Sequence, residues 1–222
     1  DVLRREGFSW GRPGRDTGYR FLDIDGDTRV DILRLFRAFG SFNDRLLVLN
    51  TGEGFVDVDP TALPAEYTLD CPNGLDGSGG CEDTGFRLYD INGDGLTDGI
   101  KNTPDEQIAW INNNSVFVED SGWGIPQGTE FINASGDDMG VRLADVNGDG
   151  LPDMLRGYGA VRSVWINTGS GWVEDSAWTL PESFIYPGEQ YGMNGNGFDE
   201  GLSLFDVNGD GLVDIVKAEV GY

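Results

Sequence analysis

The chain has 222 residues, 38% of them hydrophobic and 11% aromatic, which is enough apolar material for a packed core and excludes a disordered chain. A formal net charge of −24 argues against binding nucleic acid through its phosphates. No apolar run approaches the roughly 20 residues that a membrane helix requires. Gly is very common, at 35 residues, so many tight turns between short strands are expected. The chain opens at Asp1 with neither initiator Met nor signal peptide, and so reads as a mature or excised piece of something longer.

The first predicted strand is YRFL at 19–22, followed by an acidic line, DIDGDTRVD at 23–31. An apolar segment, DILRLF, starts at Asp31, and RLLVLNTGEGF at 45–55 supplies a further strand and an Asn-Thr-Gly turn before Pro64. Alternating apolar residues bounded by such turns are what antiparallel hairpins need. Next comes CPNGLDGSGGC, whose Cys71 and Cys81 are the only cysteines. The chain has no His, so a metal pair lacks partners, and the expected arrangement is a Cys71–Cys81 disulfide closing a Gly-rich loop. Such a bridge contributes about 2–3 kcal/mol and implies an oxidising, extracellular setting.

The pattern then repeats. FRLY at 86–89 precedes DINGDGLTD at 90–98, DGIKN and QIAWINNNSVF at 107–117, and the segment closes at Pro126. VRLA at 141–144 precedes DVNGDGLPD at 145–153, DMLRG and SVWINTGSGW at 163–172, and closes at Pro181. LSLF at 201–204 precedes DVNGDGLVD at 206–214 and DIVKA. In this register Val48, Trp110 and Trp165 coincide, as do Asn50, Asn112 and Asn167, and Phe55, Phe117 and Trp172. The units are 19–64, 86–126, 141–181 and a partial 201–222, with the Cys71–Cys81 loop an insertion between units. One small twisted sheet cannot bury both of its faces, so neighbouring units are expected to stack, with the Trp and Phe positions as core between them. The fold class is all-β: a β-propeller-like array of four-stranded antiparallel blades, three full and one partial, in a ring or an open stack.

The acidic line has oxygen side chains at alternate positions and a Gly that permits a sharp turn, a pattern that can wrap one hard cation. The candidate ligands are Asp23, Asp25, Asp27, Arg29 and Asp31; Asp90, Asn92, Asp94, Leu96 and Asp98; Asp145, Asn147, Asp149, Leu151 and Asp153; and Asp206, Asn208, Asp210, Leu212 and Asp214. The seventh position contributes its backbone carbonyl and the ninth the closing carboxylate. Ca²⁺, which takes six to eight oxygens, suits the set better than Mg²⁺, which keeps several waters. The competing reading is an ordinary Asp/Asn/Gly turn held by side-chain-to-backbone bonds. An EF-hand is excluded, because its acidic twelfth position is here Arg34, Lys101, Arg156 and Lys217. Those four are expected on an exposed strand face or near the loop carboxylates. The first loop departs from the others in having Thr28 in place of Gly.

The DxNGDGxxD line and the WINTGSGW segment resemble FG-GAP and VCBS repeats, found in integrin α-subunit propellers, in some propeller lectins and in many secreted bacterial proteins. They also look like propeller regions of Rhs-like and toxin-complex proteins. The resemblance covers nearly the whole chain. It implies Ca²⁺ as cofactor, three to four ions, each held in the hairpin joining the first two strands of a blade. It commonly implies seven blades.

The expected function is non-enzymatic: an extracellular or cell-surface calcium-binding module with a structural, adhesion or assembly role. Its expected partners are other protein chains, further repeats of the same protein or glycans, with no nucleic acid and no membrane insertion. The sequons at Asn113 and Asn133 fit a secreted glycoprotein. One alternative is a carbohydrate-binding propeller lectin with pockets lined by Trp123, Trp178 or Tyr residues. Another is a scaffold segment of a toxin-complex-like protein. Without His there is no Ser-His-Asp arrangement. Among acids outside the loops (Glu130, Asp137, Asp138, Glu189, Asp199, Glu200) none is singled out as catalytic.

Overall fold

The computed structural model describes residues 18–38, 42–66, 68–71, 82–114, 116–187 and 198–217. Strand β1 (Tyr19–Leu22) runs into the first acidic loop and returns as β2 (Asp31–Ala38), pairing Leu22 with Asp31 and Tyr19 with Arg34. β3 (Phe42–Asn50) and β4 (Phe55–Val58) complete a meander, followed by a 3-10 turn at Pro60–Ala62, β5 (Leu69–Cys71) and β6 (Glu82–Asp83). The second unit repeats the meander as β7 (Phe86–Tyr89), β8 (Asp98–Asn102), β9 (Gln107–Asn112) and β10 (Phe117–Asp120). The third has β11 (Val141–Ala144), β12 (Asp153–Tyr158), β13 (Val161–Asn167) and β14 (Trp172–Glu174), then β15 (Ile185–Tyr186) and β16 (Phe198–Asp199). The fourth contributes β17 (Leu202–Phe205) and β18 (Asp214–Lys217). The protein is all-β, built from sheets that are antiparallel except where β5 joins β2 and β15 joins β12 in parallel, with no α-helix among the described residues.

The second strands show why the sheets stack. In β12, Asp153, Met154, Leu155 and Gly157 are all buried, so both faces of the strand are covered. One face of each unit meets the opposite face of the next. Ile24, Leu33, Leu35 and Leu47 of the first unit pack with Phe86 of the second, flanked by Leu88, Trp110 and Phe117. Ile91, Ile100 and Ala109 of the second pack with Val141, Leu143, Met154, Trp165 and Trp172 of the third. Leu155 and Val164 of the third meet Leu202 and Leu204 of the fourth. Each fully buried Leu, Ile or Phe is worth about 1.5–3 kcal/mol, so every unit depends on its neighbours for a large part of its stability. The repeated aromatic positions behave as core in the second and third units. Phe55 of the first unit remains 41% exposed.

The connections between units carry order that the sequence pattern does not display. In each, a short antiparallel hairpin lies against the end of the second strand. It pairs Leu69 with Asp83 in the first unit, Ile132 with Asp138 in the second and Ile185 with Asp199 in the third. Its first residue donates a backbone bond to that strand: Thr68 to Leu35 O at 3.0 Å, Phe131 to Asn102 O at 2.9 Å, and Phe184 to Gly157 O at 2.8 Å. Gly157 is required there, because a Cβ would lie 2.8 Å from the Phe184 nitrogen. The strands on either side of residues 72–81, β5 and β6, both belong to the first sheet. The pairing of the two cysteines falls outside the described residues.

Three of the four basic residues that follow the acidic loops reach a residue of the connection from the preceding unit, and none of these bonds goes to a loop carboxylate. Lys101 pairs with Glu66 at 2.7 Å and with Glu106 at 2.7 Å. Arg156 donates to the Gly128 carbonyl, and Lys217 lies 3.8 Å from Glu182. Arg34 of the first unit sits over the Tyr19 and Phe36 rings instead.

Candidate metal centre

The third acidic loop shows how the sequence makes its shape. Asp145 opens it and accepts the Gly148 and Gly150 N–H groups, one on each carboxylate oxygen, both at 2.7 Å. Asn147 Oδ1 accepts the Asp149 N–H at 2.8 Å, and Asp149 Oδ1 accepts that of Leu151 at 2.9 Å. Asp153 closes the loop, accepting the Val146 N–H at 3.0 Å and, on its other oxygen, the Asn167 N–H of β13 at 2.8 Å. Asx-type bonds thus wind the backbone around its own side chains. The second loop repeats this set through Asp90, Asn92, Asp94 and Asp98. The fourth repeats the bonds within the loop through Asp206, Asn208, Asp210 and Asp214. The first uses Asp23, Asp25, Asp27 and Asp31.

The donor set fits a hard divalent cation. A carboxylate oxygen has two lone pairs, so one backbone bond to each oxygen orients the group and leaves acceptor capacity. In the first loop, ligand oxygens of Asp23, Asp25 and Asp27 lie within 4.8 Å of one another. In the second and third loops the corresponding Asn donates its amide to the neighbouring carboxylate: Asn92 to Asp94 at 3.0 Å and Asn147 to Asp149 at 2.9 Å. Asp25 cannot make that donation, and Arg29 pairs with Asp27 in its place. Arg29 stands where the other loops have Leu, so the extra carboxylate and the extra guanidinium belong together. Thr28 adopts φ +68°, a strained region for a β-branched residue, where Gly95 and Gly150 are free to turn. The first loop, divergent in sequence, keeps the shape of the others at the cost of that strain.

Crowding and burial are visible in the acidities. Burial pushes the Asp98 carboxyl up to about 6, against the pull of its two backbone N–H bonds, and Asp94 and Asp90 push the same way. Asp153 is raised by burial, with Asp149 and Asp145 adding to it. Asp25 is raised by burial and by Asp31, Asp27 and Asp23. A cation among these oxygens would reverse the balance. Asp206 in the exposed fourth loop is lowered, by its backbone bond from Gly211 first.

The loops are tied in a row. Asn112 of β9, in the second unit, donates to Ile24 O of the first loop at 2.8 Å and to Thr97 O of its own at 3.0 Å. Asn167 of β13 does the same one unit on, to Ile91 O at 2.8 Å and Pro152 O at 3.2 Å. The Thr97 hydroxyl reaches Asp23 O. The seventh-position Leu of each loop covers the fourth-position Gly of the loop before it. A Cβ on Gly26 would meet Leu96 at 2.8 Å, one on Gly93 Leu151 at 2.7 Å, and one on Gly148 Leu212 at 2.9 Å.

A second recurring arrangement escaped the sequence reading. Asp83-Thr84-Gly85-Phe86-Arg87 and Asp138-Met139-Gly140-Val141-Arg142 each place a carboxylate under the Gly N–H and clasp the Arg with both oxygens. Asp199-Glu200-Gly201 repeats the turn, with Ser203 where the arginine would be. The signal was the Asp-x-Gly-x-Arg spacing just before each first strand. Most acids outside the loops thereby acquire partners: Asp137 with Asn133, Asp138 with Arg142, Glu200 with Lys217, and Glu130 with the Gly128 N–H. Glu189 lies outside the described residues, as does Ser115 of the first sequon. Asn113 is exposed, whereas the Asn133 amide is held by Asp137 at 3.0 Å. Trp123 is core, edge-on to Trp172 at 5.9 Å, while Trp178 is 40% exposed.

No family model matches this sequence, and no curated protein matches it. Among solved structures, the fold is similar to that of an Agrocybe aegerita lectin described as specifically recognising non-reducing terminal N-acetylglucosamine. The TM-score is 0.52 at 19% identity, over 89% of this chain and 45% of that one. The chain therefore spans less than half the length of that lectin. No helix among the described residues is long and apolar enough to cross a membrane.

Proposed function

We propose that the chain is a calcium-stabilised β-propeller-like repeat module with a structural, adhesion or assembly role outside the cell. The observation that carries this reading is the repetition of one oxygen-lined loop at the same place in four units. An isolated Asx turn needs one or two side-chain acceptors, whereas each of these loops carries three to four carboxylates, and in the first the oxygens of Asp23, Asp25 and Asp27 lie within 4.8 Å of one another. Ca²⁺ would be held by the first, third, fifth and ninth side chains and by the carbonyls of Arg29, Leu96, Leu151 and Leu212. Its chemistry there is electrostatic: it offsets the repulsion that burial and crowding impose on Asp98, Asp153 and Asp25. The resemblance to FG-GAP and VCBS repeats and the expected Cys71–Cys81 disulfide favour an extracellular setting. The test is a metal count by native mass spectrometry, with thermal melts in calcium and in excess chelator. Three or four bound ions and a large drop in melting temperature on chelation are expected. No bound ion and an unchanged melt would sink the reading.

A second reading is carbohydrate binding on the same scaffold, favoured by the similarity to a lectin fold. It does not rest on the tryptophan pocket expected from sequence, because Trp123 is buried in the core between units.

A further inference from the structure

Strands β7, β11 and β17, each from a different sheet, contribute residues to the border of a groove of about 530 Å³, a volume within the range of small-molecule sites. Arg87, Asp138 and Arg142, each partly exposed, line it together with the more exposed Tyr89, Ser203 and Phe205. The two rings occupy the same register, at the end of the first strand of the second and fourth units. They are 38% and 49% exposed, so each offers an open face. The third unit has Ala144 at this register, so no third ring intervenes.

The charged lining is electrically balanced. Arg87 is clasped by Asp83 at 2.7 and 2.5 Å and also lies in the field of Asp138. Arg142 is clasped by Asp138 at 3.0 and 2.8 Å. Bidentate pairs fix each guanidinium and leave no net charge to attract an anion. The carboxylates are likewise capped, so the groove has little to offer a cation. What remains is a rigid set of fixed donors and acceptors beside two aromatic faces. Ser203, standing where the other units have Arg20, Arg87 and Arg142, widens the groove and adds a small hydroxyl.

From this juxtaposition we propose that the groove between β7, β11 and β17 is a subsite for a neutral pyranoside, whose C–H face stacks on Tyr89 or Phe205 while its hydroxyls bond to the Arg142–Asp138 pair and Ser203. The proposal rests on the carbohydrate reading above and gives it a place distinct from the acidic loops. Aromatic faces supply dispersion and a slightly negative quadrupole to polarised C–H bonds, and planar side chains lose little entropy in doing so.

The experiment is saturation-transfer NMR and calorimetric titration of the calcium-loaded full chain with methyl glycosides of glucose, galactose, mannose and N-acetylglucosamine, and with glucosamine and N-acetylneuraminic acid as charged probes. Tyr89→Ala, Phe205→Ala and Ser203→Trp are titrated alongside, with metal count and melting temperature checking that each variant is folded. Saturable binding of a neutral glycoside, weakened about tenfold or more by either truncation and abolished by Ser203→Trp, supports the subsite. Binding that all three variants leave unchanged overturns the subsite while keeping the carbohydrate reading. No saturable binding by the wild type overturns both, and preference for a charged probe overturns the balance argued for the charged lining.

Discussion

At the scale of single residues, the ninth-position aspartates carry the clearest energetic signature. Asp98 and Asp153 are fully buried, and each gives both carboxylate oxygens to backbone N–H groups on two different segments. Those bonds lower the pKa, yet burial wins and leaves Asp98 at about 6, above its ordinary 3.8. A folded-state pKa above the unfolded one means that folding favours the protonated form. Its contribution to stability is present below pH 3.8 and is lost as pH rises through about 6. Asp153 and Asp25 act in the same sense, while the exposed Asp206 and Asp59, both lowered, act in the opposite one. Without divalent cation, the melting temperature is therefore expected to fall between about pH 4 and about pH 6.5, the interval in which folded Asp98 holds a proton that the unfolded chain has lost. With saturating calcium the same interval should be nearly flat, since the ion stabilises the charged form. Melts in chelator that rise with pH would contradict this account. The carboxylates of the loops were legible in sequence because their spacing repeats. The Arg29–Asp27 pair that accompanies Asp25 was not, because it is a compensation confined to one loop.

At the scale of elements, the strands were readable from alternation, and the four-strand order of each full unit follows from it. The connecting hairpins were not. Two of them have strands of two or three residues and the third reduces to one bridge, so no periodicity could develop. Their register comes from the end of a neighbouring strand, a tertiary cause. The recurring Asn at the end of the third strand was visible as a coincidence of letters, but its task was not. Asn112 and Asn167 are buried and tie successive loops together by side-chain amide bonds. Asn112→Ala removes both donors and leaves two carbonyls without them in a dry interface, at a cost of about 2–4 kcal/mol. At Asn50 the described side-chain bond is to the Gly52 N–H within its own turn. Asn50→Ala is accordingly expected to cost about 1 kcal/mol. Denaturant unfolding of the two variants measures the difference, and equal losses would show that the bond between loops is not what Asn112 supplies.

At the scale of the whole molecule, the loops form a series in which each member touches the next. Four divalent ions would move the formal charge only from −24 to about −16, so relief of overall repulsion is a minor part of what calcium would do. The larger part is local and directional. An ion that fixes the first loop also fixes Asp23 O and Ile24 O, the acceptors for Thr97 and Asn112. An ion in the second loop fixes Ile91 O for Asn167, and the seventh-position leucines repeat the linkage through Gly26, Gly93 and Gly148. Ordering one loop therefore lowers the cost of ordering its neighbours, which is positive coupling between sites. The position of a defect in the row should then decide its reach. Asp94→Ala, in the second loop, is expected to weaken ion binding in the first and third loops as well as its own. With coupling free energies of about 1–3 kcal/mol, the neighbouring affinities would fall by about 5- to 150-fold. Asp210→Ala in the fourth loop has one described neighbour, the third, and should leave the first two loops at wild-type affinity. Calcium titrations followed by native mass spectrometry resolve the successive loading states. Loss of a single ion in both variants, with the remaining affinities unchanged, would mean that the loops bind independently and that the bonds between them serve packing alone.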